Sequence, residues 1–127
     1  MKVRSLLFAP LLAILGISSC SHIKMGMFIL NDNPGEGDTA SISRGKLAYE
    51  QNCARCHGAT GDGSGEEGLY LEVKPTNFRS PVYTKSPARM GAHIAYGKGK
   101  FMPAFTETLP EETIWDISNF LWSLPKQ

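Results

Sequence analysis

Three side chains within five residues carry the most specific chemistry in the chain. They are Cys53, Cys56 and His57, in the run Cys53-Ala54-Arg55-Cys56-His57. C-x-x-C-H is the spacing of a c-type haem attachment site. Two residues between the thiols let one short helical turn present both sulfurs to the two vinyl groups of a single porphyrin. The imidazole that follows directly is then placed to ligate the iron from beneath the ring. Two other chemistries share these residues. Zinc would take the same three side chains with His93, but structural zinc sites place their second ligand pair together and His93 stands alone. A thioredoxin-like dithiol requires a βαβ pattern around the cysteines, and none surrounds them.

A haem iron held by one histidine needs a group on its other face. Met102 is the expected sixth ligand, 45 positions after His57 in the loop Gly97-Lys98-Gly99-Lys100-Phe101-Met102-Pro103-Ala104-Phe105. Pro103 steers Met102 away from helical angles, so the thioether projects from an extended segment. A neutral sulfur favours reduced iron and raises the potential relative to bis-histidine ligation. His93 is the rival ligand and is read instead as a partly exposed helix residue. Met25 and Met27 lie far from this loop and are read as packing residues.

These groups need helices to hold them. A first helix is expected from about Ser41 or Ser43 to Asn52, capped by either serine and running into the cysteine motif. Gly45 within it costs about 1 kcal/mol relative to alanine, which implies a close packing partner. A second helix is expected over 86–96, with Pro87 in its first turn and Gly97 past its end. A third is expected over 109–124, with Thr108 and Glu111 at capping-box spacing and a stripe of Ile114, Ile117, Leu121 and Leu124. Trp115 and Trp122 are expected together on an adjoining face. The run Gly58 to Gly65 lacks the lysine and hydroxyl pair of a phosphate loop and reads as a turn clearing the cofactor edge. Asp62, Glu66 and Glu67 are expected in solvent, with no catalytic role.

The N-terminus supplies an address. Met1-Lys2-Val3-Arg4 precedes an apolar run from Leu6 to Ile17, of signal-peptide length and too short to cross a bilayer. Ile17-Ser18-Ser19-Cys20 then resembles the lipobox of bacterial lipoprotein precursors. That resemblance implies cleavage before Cys20, lipidation of its thiol and stable anchoring through several acyl chains. The expected organisation is a signal peptide over 1–19, a lipidated flexible tether over 20–40 and a folded domain over 41–127. Without residues 1–19 the chain keeps 11 basic residues against 12 acidic ones. Nucleic acid is therefore not an expected partner. Each of the three cysteines has a role, two on haem and one on lipid, with no disulfide required.

From Ser43 to Leu124 the chain resembles a class I monohaem cytochrome c. The residues that carry the resemblance are Gly45, Tyr49, Cys53, Cys56, His57, Gly58, Pro75, Asn77, Phe78, Gly97, Gly99, Met102, Pro103, Phe105, Phe120 and Leu121. The resemblance implies a small all-α fold with crossing terminal helices, Gly45 lying under Phe120, and one covalent haem c in the core. Attachment of that haem is completed outside the cytosol, so export is implied twice. The expected function is single-electron transfer between membrane-associated redox proteins, facing the periplasm or cell exterior. The expected chain is a carrier rather than an enzyme, with no small-molecule substrate at the iron. The alternative is the haem-bearing electron-entry subunit of a larger dehydrogenase, oxidase or reductase complex.

Overall fold

In the computed structural model, residues 19–127 are described, with side chains from Ile23 onward. The expected signal peptide, apart from Ser19, and the side chain of Cys20 lie outside the described residues. The elements are α1 (Ser19–Leu30), α2 (Thr39–Asn52), α3 (Ala54–His57), a 3-10 turn (Glu67–Tyr70), α4 (Pro87–Tyr96) and α5 (Glu111–Ser123). The all-α expectation holds. Among the described residues there is no strand, only an isolated antiparallel bridge between Lys98 and Met102. No described helix is long and apolar enough to cross a membrane.

The domain closes where α2 crosses α5. Gly45 is buried at that crossing, where a Cβ would overlap the carbonyl of Asp116 and press on the amide of Ile117. The glycine is thus required by backbone-to-backbone approach, although the expected partner was Phe120. Phe120 packs one turn further along both helices, against Tyr49, with ring centroids 5.3 Å apart. Positions four apart share a helix face. Two layers result, Gly45 on Asp116 and Tyr49 on Phe120.

The cap of α2 also differs from expectation. Asp38 takes the position proposed for Ser41 or Ser43, its carboxylate accepting from the amides of Ala40 (3.0 Å) and Ser41 (3.2 Å). An anionic cap also suits the positive end of the helix. Ser41 instead turns inward, donating to Asp116 Oδ1 (2.6 Å) and accepting from Asn119 Nδ2 (2.9 Å). Arg44 completes the cluster, Nε to Oδ2 at 2.7 Å and Nη2 to Oδ1 at 2.9 Å. The buried Asp116 carboxylate is therefore both paired and hydrogen-bonded, which is the condition for keeping a charge out of water.

Helix α5 starts later than expected, and no side chain caps it. Thr108 does not form the capping box. Its hydroxyl donates back to Phe105 O at 3.3 Å, closing the preceding turn. Glu111 instead accepts from Trp115 Nε1 at 3.3 Å. Ile114, Ile117 and Leu121 are buried as the stripe required, while the two tryptophans part company. Trp115 is buried under α1, whereas Trp122, two turns on, is 48% exposed.

The stretch expected to be a flexible tether is ordered in its described part. Helix α1 lies on α4 and inserts Phe28, whose ring stacks on Trp115 at 4.5 Å, meets Tyr96 edge-on at 6.2 Å and rests against Gly91. The turn after α1 is pinned by a reciprocal amide pair. Asn33 Nδ2 donates to Asn119 Oδ1 at 2.6 Å, and Asn119 Nδ2 to Asn33 Oδ1 at 3.2 Å. Phe28→Ala is expected to remove about 3 kcal/mol of local stability, the usual scale for deleting a buried ring. Amide hydrogen exchange checks this: α1 loses protection while α2 and α5 keep theirs.

Helix α4 matches expectation closely. Ser86 Oγ accepts from the Arg89 amide at 3.4 Å, Pro87 occupies the first turn, and Met90 and Ile94 are buried.

Candidate functional site

The one-turn helix α3 follows α2 directly, so the C-x-x-C-H run is held by the helix that anchors the domain. Cys53 ends α2 through a bond from its amide to Tyr49 O (2.8 Å), and the His57 amide then bonds to Cys53 O (2.9 Å). Tyr49 secures the far end of the turn, its buried hydroxyl donating to Gly58 O at 2.7 Å. Burial raises the phenol above its ordinary range and keeps it a donor.

The imidazole of His57 is fixed from behind. Its Nδ1 lies 3.2 Å from Thr76 O. A carbonyl oxygen can only accept, so Nδ1 carries the proton and Nε2 keeps its lone pair. Phe78 lies against the ring with centroids 4.9 Å apart. Burial lowers the pKa of His57, and the bond to Thr76 partly opposes that. The neutral ring is the form that ligates metals. The glycine-rich loop holds this support in place, for Phe78 N bonds to Gly61 O and Gly63 N to His57 O, both at 2.8 Å. Asp62 is part of the loop's own structure, accepting from Ser64 N (3.0 Å) and Oγ (2.6 Å). Glu67 pairs with Arg55 at 3.4 Å.

The two thiols are not activated. Burial, with the neighbouring Cys56, pushes Cys53 up to about 12, and burial also raises Cys56. A reactive dithiol needs the opposite shift. Among the described residues no three His, Cys, Asp or Glu side chains converge as a metal cluster, so the zinc reading lacks its ligands.

His57 and Met102 line one cleft, walled by the apolar Phe78, Met90, Ile94 and Leu121. The Met102 loop is tied down by Lys98 N to Met102 O (3.1 Å) and by Phe105 N to Ile94 O (3.1 Å). Gly97 begins it at φ 78°, where a Cβ would also press on Met102 O. A side chain there would be strained and would displace the loop. The cleft encloses about 30 Å³, less than a porphyrin occupies, so haem binding would require these walls to part. The donor set suits haem c: two thiols on a turn, a neutral imidazole with a free Nε2, and a thioether sharing the cleft.

His93 is partly exposed on its helix, as expected. It lines the same cleft, and its Nδ1 is buried with no hydrogen-bond partner. Burial lowers its pKa, as do Lys85, Lys98 and Arg89. The helical spacing from Met90 held the clue, since positions 90, 93 and 94 share a face. Thr76 had no such signal, because its contribution is a backbone carbonyl. Met25 packs partly against the core, and Met27 is 63% exposed. Neither lines the cleft. Arg79 lies against the C-terminal segment, donating from Nε to Pro125 O at 3.2 Å.

Comparison with known proteins gives consistent findings. The family described as Cytochrome C oxidase, cbb3-type, subunit III matches residues 40–121. The Cbb3-type cytochrome c oxidase subunit CcoP of Azospirillum brasilense is 30% identical over 97 residues, covering 76% of this chain and 33% of its own. The CcoP subunit of Azospirillum sp. (strain B510) is 26% identical over 98 residues, with the same coverage. Among solved structures, a chain of the Kuenenia stuttgartiensis reducing HAO-like protein complex superposes with a TM-score of 0.65 at 26% identity, covering 76% of this chain and 50% of that one. The chain thus spans about a third of the length of these curated relatives.

Proposed function

The chain belongs to the cbb3-type cytochrome c oxidase subunit III family and so carries a covalently bound haem c, and from that premise we propose that it is a lipid-anchored carrier of single electrons between redox proteins at a bacterial membrane. Bound haem c supplies a one-electron ferric/ferrous couple. Cys53 and Cys56 would hold the porphyrin through thioethers, and His57 Nε2 and Met102 Sδ would ligate the iron. Thr76 O orients the imidazole and increases its basicity through Nδ1–H. Phe78, Met90, Ile94 and Leu121, the apolar walls of the cleft, would exclude water from the ring. With His57 and Met102 both on the iron, a substrate would find no place there, and outer-sphere transfer would need no acid or base from the protein. The observation that carries this reading is the neutral His57 held by Thr76, directly after two thiols and lining one cleft with Met102.

Cys20 would hold the chain at the membrane, facing the periplasm or cell exterior. Metabolic labelling with a clickable fatty acid tests this. The wild type is expected to take up label and Cys20→Ser to lose it; an unlabelled wild type rules out the anchor.

The names of the relatives favour a second reading. Those proteins are a subunit of an oxidase and a member of a reducing complex. On this reading the chain is the electron-entry subunit of a larger assembly. Native gel electrophoresis of solubilised membranes, stained for haem, separates the two. A band near the mass of the chain supports the free carrier, and a band of several hundred kilodaltons supports the subunit.

A further inference from the structure

His93 is the one described side chain with a buried polar atom and no hydrogen-bond partner. A buried polar nitrogen without a partner costs about 1–3 kcal/mol, so its retention calls for an explanation. The atom belongs to a residue that lines the cleft shared by His57 and Met102. It stands on α4, a helix fixed at both ends by Ser86 and by the Phe105 bonds to Ile94 and Ala95. Met102 stands on a loop, tied near the sulfur-bearing residue by the single bridge to Lys98. Besides His57 and the thioether of Met90 on α4, the cleft therefore holds one soft donor on a loop, Met102, and one nitrogen donor on a rigid helix, His93.

We infer that His93 is a reserve axial ligand, which takes the iron when the Met102 thioether leaves it. The inference rests on the proposed His57 and Met102 ligation. The exchange breaks one iron–sulfur bond and forms one iron–nitrogen bond. Both donors are neutral electron pairs, so no proton, electron or further reactant is needed. The result is a bis-histidine iron of lower potential in the same fold. Loss of methionine ligation would then lower the potential of the carrier without opening the iron to small molecules.

Haem-loaded wild type, Met102→Ala and Met102→Ala/His93→Leu proteins test this by electron paramagnetic resonance and near-infrared spectroscopy in the ferric state. Met102→Leu, which keeps most of the side-chain volume, repeats the test if the alanine variant does not fold. The expected result is a low-spin bis-imidazole signal in the single variant and its replacement by a high-spin signal in the double variant. A high-spin single variant overturns the inference. So does a low-spin signal that survives in the double variant, which would place a lysine such as Lys85 or Lys98 on the iron. A wild type already showing the bis-imidazole signal overturns the Met102 assignment itself, and is seen before either variant is compared.

Discussion

Met102→Ala is expected to abolish the methionine–iron charge-transfer band at the red end of the ferric spectrum and to lower the midpoint potential by on the order of 0.1 V. That shift is a modest part of the roughly 0.8 V over which axial ligation moves haem potentials. The direction follows from chemistry. A thioether stabilises ferrous iron, and any nitrogen or oxygen donor that replaces it favours the ferric state. The loop places Met102 where only its side chain is lost. Lys98 N still bonds to the backbone carbonyl of residue 102, and Phe105 still bonds to α4. Covalent haem content should therefore be unchanged. Optical titration against redox mediators checks the potential, and a persistent charge-transfer band would show that another sulfur ligates the iron.

Gly45→Ala is expected to be the most destabilising single-methyl substitution in the described domain. The new Cβ overlaps the backbone carbonyl of Asp116, an atom that cannot rotate away. Alanine gains about 1 kcal/mol in helix propensity, but separating two helices that share a buried face costs more. A net loss of about 3 kcal/mol corresponds to a fall in Tm of roughly 12–24 °C for a domain of this size. Thermal unfolding of the haem-loaded protein measures it. Gly26→Ala is the control, because Gly26 also lies within a helix, α1, and a Cβ there meets nothing within 4 Å. That substitution should leave Tm unchanged or raise it.

The contrast between these glycines shows what a sequence discloses. Gly45 announced a close approach by its cost, but its partner was legible only after α5 had been placed. Cys53, Cys56, His57 and Met102 stand out as candidates in the sequence because their chemistry sits in short local patterns. The termini of α4 were legible for the same reason, through Ser86, Pro87 and Gly97. The cap of α2 was not, because Asp38, Ser41 and Ser43 are all competent caps, and the choice depends on Asp116, 75 residues away from Ser41. Helix α1 was hidden because its apolar residues show no period and its anchor, Phe28, finds its partner in Trp115. His93 was legible as a partly exposed helix residue, but its place in the cleft was not, because the polarity of the residue type outweighed its position beside Met90 and Ile94 on α4.

One measurement bears on the central claim most directly. The chain is co-expressed with a haem-maturation system, purified from the exported fraction, extracted with acidified acetone and assayed as the pyridine haemochrome. The account predicts one haem per chain, retained through extraction, with the spectrum of a porphyrin whose two vinyl groups are saturated by thioethers. Cys53→Ser/Cys56→Ser should lose it altogether. Haem that extracts freely from the wild type, or a wild type with no haem at all, would contradict the account.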